Sequence, residues 1–508
     1  MQKSPPRTVF AYVAVLLGAG ALYAASCAPG ALWQDSGLIQ YRVWHSDIQG
    51  FLGLAISHPL YYILAIGARY LPVGEFGHRV NLLSAVAGAI AVANLYLLVR
   101  LWSGRKFPAL IAAVTLAVSH TFWRHASIAE TYTLWTALFL GELVVLLQYR
   151  KTRRTGYLYA LGLLNGLAVA VHMLACIPLA CYLVLLVVLL ARRAIRPRDA
   201  SFVALLWVAG ALPFEYLIVR QMIQSGDVLG TLASAAFGDR WRGDVLNTTL
   251  SWQIVRENVL YFLLNFPTPN LLLFFAGCLA LLRMGSTRLF RNLVMVLMPL
   301  FFVFAFRYTV SDRYAFFIPF YALASVAVGM GAHAAQQRVR HKVIPVAMAG
   351  FALLPVVIYA AAPRLAAQVD MPIGTRADLV HRDDYTFFLR PWKTGYRGAE
   401  RYAFEALETA APDAVIYADT TTIAPLLYVQ EVKGKRPDVK IVTGIVRSAG
   451  APPCSADAFQ KCVDAYPVYV TSDQPGYAPA FVLGKHDLRK CGPLWRVTRP
   501  SAAQVLDR

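Results

Sequence analysis

The sequence predicts a polytopic α-helical membrane protein of about eleven transmembrane helices, followed by a small C-terminal α/β domain. Three observations carry that prediction. The 508 residues are 58% hydrophobic and 15% charged, too little polar surface for a soluble chain of this length. Apolar runs long enough to cross a bilayer, roughly 20 residues each, recur along most of the chain. Basic residues collect in short segments at the ends of those runs, the signature of cytoplasmic loops.

The apolar runs fall near 8–28, 78–102, 107–123, 131–149, 156–172, 174–191, 201–220, 258–282, 292–309, 314–332 and 343–361. The first follows a short basic region and ends in "AASC". It reads as an uncleaved span, because Ala24 stands three residues before Cys27, where a lipoprotein signal favours Leu. The basic groups are Lys3 and Arg7; Arg105 and Lys106; Arg150, Lys151, Arg153 and Arg154; Arg192, Arg193, Arg196 and Arg198; Arg283, Arg288 and Arg291; and Arg338, Arg340 and Lys342. With a cytoplasmic N-terminus, every group falls on the cytoplasmic side, and the odd count of spans leaves the C-terminus extracytoplasmic. The net charge of +20 is therefore read as topology. Nucleic acid is excluded as a partner, since no basic face alternates with exposed aromatics.

Two long loops, 29–77 and 222–257, lie on the outer side. The first holds "FLGLAISHPLYYILAIGARYLP", read as a helix along or dipping into the membrane surface. The second is partly amphipathic. Large elements on one face place the chemistry there. The transmembrane part is taken as 1–362 and the extracytoplasmic domain as 363–508. In the latter, "AVIYAD", "VKIVTG" and "PVYVTSD" read as strands separated by helical segments such as "TIAPLLYVQEVKG". Outside the cell, two of Cys454, Cys462 and Cys491 are candidates to pair. No P-loop, dinucleotide glycine motif or Cys/His metal spacing occurs.

Asp35, in "ALWQDSGLIQYRVWHSD", is the leading candidate for chemistry; its bland reading is a turn acid or a helix N-cap. Asp47 is a weaker candidate in the same stretch. Asp35 and Asp47 sharing a divalent metal is left open. In "SHPLYY", His58 stands before Pro59, which predicts an extended entry to a helix with Pro in its first turn. "FWRHASIAETYTLW" offers Glu130 beside Arg124 and His125, either a surface ion pair or part of a polar pocket. Trp123 and Tyr132 in it fit an interfacial aromatic belt. His172, Glu142, Glu215 and Arg220 are ionisable groups at membrane depth, where such residues face a bundle interior or a wet cavity. For Glu142 the default is interhelical pairing. Arg313 follows Asp312 in a short outer turn; it either grips a phosphate by paired hydrogen bonds or pairs with Asp312.

The order of "WQDSG", "LAISHPLYYIL", "RVNLLSAVAGAIAV", "FWRHASIAETYTL", "GLAVAVHMLACIPLA" and "SDRYAFFIPFY" resembles the polytopic proteins related to protein O-mannosyltransferases, within the GT-C superfamily of membrane glycosyltransferases. The resemblance covers about residues 8 to 335, and "YADTTTIAPLLYVQEVKGKRPDVKIV" resembles the segment such proteins carry after their spans. It implies a GT-C-like fold and transfer of a sugar from a polyprenyl-phosphate or polyprenyl-diphosphate donor on the outer face. It maps the acceptor-positioning or general-base acid onto Asp35, the family's His-Pro onto His58 and Pro59, its Ala-Glu-x-Tyr onto Glu130 and Tyr132, and a histidine after the fifth span onto His172. Leu38 stands where the family usually has a second acid, and His-Pro-Leu-Tyr replaces His-Pro-Pro-Gly.

The expected function is transfer of a sugar to a protein or glycan hydroxyl at a bacterial inner membrane. An acceptor hydroxyl is a poor nucleophile and needs a carboxylate within reach, here Asp35. The departing phosphate needs cationic donors, here Arg313 or Arg124. Asp47, His58, Glu130, Tyr132 and His172 are expected around the substrate, and the spans with the stretch 51–71 would groove the lipid chain. The rival readings are a transporter or flippase, lined by Glu142, Glu215 and His172, and an inactive scaffold. The transporter reading lacks paired broken helices and repeat symmetry.

Overall fold

The computed structural model describes residues 6–499 apart from 240, 286, 311, 340, 342, 374, 375, 377 and 378; Lys3, Arg340 and Lys342 of the basic loops lie outside the described residues. Seventeen helices precede the C-terminal region: α1 Pro6–Ser26, α2 Gln34–Trp44, α3 Pro59–Ala68, α4 Phe76–Ser103, α5 Lys106–Ala117, α6 His120–Ala126, α7 Tyr132–Thr152, α8 Gly156–Val171, α9 Cys176–Ala191, α10 Pro197–Ser225, α11 Val228–Phe237, α12 Arg242–Val245, α13 Trp252–Asn265, α14 Leu271–Arg283, α15 Arg288–Arg307, α16 Ile318–Arg338 and α17 Val343–Gln368.

Among the described residues, eight helices are long and apolar enough to cross a membrane: α1, α4, α7, α9 with the turn before it, α10, α15, α16 with the turn before it, and α17. The other three expected spans are helical but shorter. The run 107–123 breaks at Val118 and Ser119 into α5 and α6; α8 has 16 residues; and 258–282 is split into α13 and α14 by Pro267 and Pro269, whose missing N–H groups end the ladder. The last span, expected to end near 361, continues to Gln368. α16 lies at the centre, buried along almost all its length.

Small residues let these helices meet backbone to backbone, as packing in lipid favours. A Cβ added at Gly162 or Gly166 of α8 would strike the carbonyls of Val203 and Trp207 on α10, and one at Gly277 of α14 would strike the Ala327 carbonyl on α16. Chain direction alternates, so the ends carrying Arg105, Arg150, Arg192, Arg283 and Arg338 lie on one side. The 29–77 loop, the turn after α6, the α8–α9 turn and the turn before α16 lie on the other.

The C-terminal region contains α18 Asp384–Leu389, α19 Gly398–Thr409, β1 Val415–Tyr417, α20 Ile423–Leu427, β2 Lys440–Val442, α21 Ala456–Ala465, β3 Val468–Val470, β4 Asp487–Cys491 and β5 Leu494–Thr498. The three expected strands are present; the β4–β5 hairpin was not read from the sequence. The sheet order is β2-β1-β3-β5-β4, with β1 parallel to β2 and β3 and the hairpin antiparallel. Ile416 pairs with Ile441 and Tyr469, and this set faces α19, α20 and the first outer loop; Val415, Tyr417 and Val470 face Phe459 and Cys462 of α21. The period of two sorts the sheet into two faces.

All three tail cysteines are unbridged. Cys462 and Cys491 pack in layers on opposite sides of the sheet, which removes that pairing.

Candidate active site

Two cavities meet at the end of the helices opposite the basic loops, and one short wall belongs to both. The first, about 500 Å³, is bounded by Phe51, Leu52, Ile56, Ile177, Phe237 and Phe304, with Arg42, His58 and His172 among them. The second, about 640 Å³, lies between α6, α13 and residues 371–373 and 382–389. Asp35, Glu130, Tyr132 and Asp312 line both.

Asp35 sits in the first turn of α2 and is not its cap: Trp33 holds that position without a side-chain bond. The carboxylate makes no hydrogen bond or ion pair among the described residues. Its exposed surface is cavity surface, since protein encloses it, and burial pushes its pKa up. Glu130 lies between α6 and α7. Ser84 braces its backbone, donating to the carbonyl at 2.9 Å and accepting from the N–H at 3.0 Å, and Ser36 donates to its carboxylate at 3.2 Å. Burial, then the charge of Asp35, raises Glu130 to about 8. The same two causes raise Asp312 to about 7. The charge of Asp35 thus disfavours ionisation of both neighbours, and the three carboxyls crowd one wall.

His58 and His172 stack with ring centroids 4.9 Å apart in the first cavity. His58 does not have the extended backbone expected before Pro59. Its φ is 52° and ψ 45°, the left-handed region, and Pro59 opens α3. The bond from its Nδ1–H to the Val171 carbonyl, 2.7 Å, holds that conformation. Burial holds the ring down at about 4, so it is neutral with a bare Nε2. His172 is the complement: its Nδ1 accepts from the Leu174 N–H at 3.1 Å, which leaves the proton on Nε2. The pair thus offers the cavity one acceptor and one donor. Tyr132 packs edge-on against His125 and tilted against His172, a core position in place of the expected aromatic belt.

Arg42, not singled out from the sequence, is the cation of the first cavity. It is buried, lies 3.6 Å over the Tyr62 ring and donates to the Ser57 carbonyl at 3.0 Å. Asp47 lines neither cavity. It accepts from the Gln49 and Gly50 N–H groups and lies 3.6 Å from Arg42, so it braces that cation. Asp47 therefore does not join Asp35 in a metal pair. Among the described residues no group of three His, Cys, Asp or Glu is set to hold a metal ion.

Arg313 also lines neither cavity. Its guanidinium is committed to Glu257 and to the Tyr308 carbonyl, so it is not a free phosphate ligand, and its partner is not Asp312. Asp312, the residue before it, is the one on the shared wall. Arg124 lines the second cavity, bonded to the Tyr314 hydroxyl. Leu38 is on the apolar side of the first cavity, and the carboxyls that accompany Asp35 come from other elements. Glu142 is fully engaged by Asn165 at 3.2 Å and Tyr182 at 2.9 Å, and neither it nor Glu215 nor Arg220 lines either cavity.

Residues 54–194 match the family model described as the protein O-mannosyl-transferase TMEM260 N-terminal domain. That stretch contains His58, Arg124, Glu130, Tyr132 and His172; Asp35, Arg42 and Asp312 lie outside it. Among solved structures, the chain is similar to ArnT from Cupriavidus metallidurans bound to undecaprenyl phosphate, with TM-score 0.63 and 13% identity over 98% of this chain and 99% of that one. The apo ArnT from the same organism gives TM-score 0.59 and 14% identity over 98% of both chains. The S. cerevisiae protein O-mannosyltransferase Pmt1-Pmt2 complex bound to the sugar donor matches over 45% of this chain and 35% of that one, with TM-score 0.35 and 16% identity. The fold is GT-C-like, as the sequence resemblance implied. Family match and fold together support a membrane glycosyltransferase.

Proposed function

We propose that this chain transfers a sugar from a polyprenyl-phosphate donor to an acceptor hydroxyl at the extracytoplasmic face, with Asp35 taking the acceptor's proton. One observation carries the reading: an unpartnered carboxylate stands on the wall shared by two cavities of different chemistry.

The first cavity suits the donor. Its apolar walls fit a prenyl chain, the kind of molecule bound in the similar ArnT structure. Arg42 supplies a fixed positive charge for the phosphate, and His172 Nε2–H a neutral hydrogen bond. The second cavity suits the acceptor. In the transfer, the acceptor oxygen forms a bond to the sugar's anomeric carbon while the bond from that carbon to the phosphate oxygen breaks. The proton passes to Asp35, and the bonding electrons leave with the phosphate. The apolar enclosure that raises Asp35 also makes it a stronger base than an ordinary aspartate.

The basic loops at the opposite ends of the helices support a cytoplasmic N-terminus and an outward-facing site in a bacterial inner membrane. The acceptor is a protein or glycan hydroxyl. Membranes holding the wild type or Asp35→Asn at matched levels, given a panel of labelled polyprenyl-phosphate sugars, test the reading. Transfer by the wild type alone is expected; equal transfer by both proteins would show that Asp35 is not the base. A transporter would move the labelled lipid without cleaving it.

A further inference from the structure

The second cavity holds a set of arginines that the transfer chemistry leaves unused. Arg124 reaches it from α6, Arg256 from α13, and Arg382 from the segment before α18. Arg124 and Arg382 lie against one ring, their guanidinium carbons 5.3 and 4.8 Å from the centroid of Phe387. Two like charges are thus held as close neighbours. Among the described residues only Asp384 forms an ion pair with either, at 2.7 Å from Arg382 Nε.

Both side chains are more than nine-tenths buried, yet each keeps a buried donor without an acceptor: Arg124 Nε and Arg382 Nη1. Arg256 is exposed into the cavity and makes no hydrogen bond or ion pair among the described residues. Lys393 lies 5.2 Å from the same ring, and burial with the nearby Arg124 and Arg390 pushes its amine down.

Repelling guanidinium groups with unfilled donors are costly to maintain unless a ligand supplies the anion. Asp35, Glu130 and Asp312 line the same cavity, with Arg124 near enough to Glu130 to act on it. The cavity therefore carries both signs: carboxyls that it shares with the donor cavity, and arginines that it does not share. A molecule that satisfies both sets of groups carries a hydroxyl and an oxyanion.

We propose that the acceptor carries an anionic group, a phosphate or a carboxylate, held by Arg124, Arg256 and Arg382 while its hydroxyl lies against Asp35. The proposal rests on the transferase reading of this cavity. The planar guanidinium fork matches the oxygens of either anion. The donor's phosphate is a separate matter, since Arg42 serves the other cavity.

Glycerol phosphate, glycerate and glycerol are suitable probes, because they share a hydroxyl and differ in the anion. Their affinities for the full-length protein in detergent are measured by calorimetry for the wild type, Arg256→Gln, Arg42→Lys and Asp35→Asn. The wild type is expected to bind at least one anionic probe at least about tenfold tighter than glycerol. Arg256→Gln removes that preference, while Arg42→Lys and Asp35→Asn keep it. The tighter of the two anionic probes identifies phosphate or carboxylate as the preferred group. Equal binding of all three probes by the wild type overturns the proposal. So does a preference lost in Arg42→Lys and kept in Arg256→Gln, which would put the anion in the donor cavity. Binding is read without transfer, so failure of Asp35 as the base leaves this result interpretable.

Discussion

Removing the negative charge of Asp35 should abolish transfer and stabilise the fold, and the second effect should depend on pH. Asp312 stands at about 7 against an ordinary 3.8, and Glu130 at about 8 against 4.5. Each gap of a little over three pH units corresponds to ~4 kcal/mol. Burial is the larger cause and the charge of Asp35 the next, so Asp35 accounts for a share on the order of 1–2 kcal/mol after allowing for cavity water. A carboxyl whose folded pKa lies above its unfolded one favours the fold while protonated. That contribution is complete below about pH 4 and is lost as the pH rises through 7 to 8. At pH 5 Glu130 and Asp312 are largely protonated and do not repel Asp35, so Asp35→Asn should melt near the wild type. At pH 8 the variant lacks the repulsion and should be more stable by ~1–2 kcal/mol, while its transfer falls at least about a hundredfold. The wild type should itself transfer faster as pH rises through the raised pKa of Asp35. Intrinsic-fluorescence melting of both proteins in detergent at pH 5 and pH 8 reads the first effect. An Asp35→Asn protein that melts at or below the wild type at pH 8, with a difference that does not change with pH, would refute the crowded-carboxyl account.

Three other substitutions probe separate parts of the structure. Arg42→Lys keeps the charge but loses the fork that spans the Ser57 carbonyl and the Tyr62 ring; the donor KM should rise about tenfold with kcat within about threefold, and the reverse split would remove Arg42 from donor binding. Gly166→Val drives a side chain into the Trp207 carbonyl and should cost up to ~3 kcal/mol, whereas Gly156→Ala, in open space on the same helix, should leave the melting temperature nearly unchanged. Glu142→Gln keeps one acceptor oxygen, for the Asn165 amide, and turns an N–H toward the Tyr182 hydroxyl, which can accept it in place of donating; transfer should stay within about threefold, and a severe loss would give this intramembrane acid a part in turnover.

Burial was the legible part of the sequence, and side-chain direction was not. Hydrophobic runs located every long helix because lipid and protein interior demand the same residues. They did not report where a run breaks, since "NFPTPN" is apolar enough to read through while its two prolines end a helix. His58, the neighbours Glu130 and Tyr132, and His172, from three separate parts of the chain, come together on the cavity walls. The turn "SDRY" shows the limit. Arg313 looked like the useful group, but Glu257, 56 residues earlier, captures it and leaves Asp312 facing the cavities. Asp47 failed for a similar reason: its partners are two local N–H groups and a buried arginine. His58 departed from the usual pre-proline backbone because a carbonyl from α8 holds its ring, a constraint absent from the local sequence.

The C-terminal segment belongs to the site as much as the membrane helices do. Tyr396 accepts from the Trp33 indole N–H at 2.6 Å, the Lys393 N–H donates to the Ser26 carbonyl at 2.7 Å, and the Gly77 N–H donates to the Tyr428 hydroxyl at 3.1 Å. Glu75, at the start of α4, is gripped by Arg397 at 2.7 Å and Lys433 at 2.5 Å. Trp33, Leu38, Ile39 and Val43 share one apolar core with Ile423, Leu426 and Leu427. The short α2 that carries Asp35 is therefore clamped between α4 and α20, although an isolated helix of 11 residues is marginal in water. A base must be held to within a fraction of an ångström of its substrate, and a surface loop alone would not hold one. The same segment supplies Arg382 and Phe387 to the second cavity. Placing the clamp and the cavity wall on one piece of chain means that any movement of the segment on acceptor binding would be felt at Asp35.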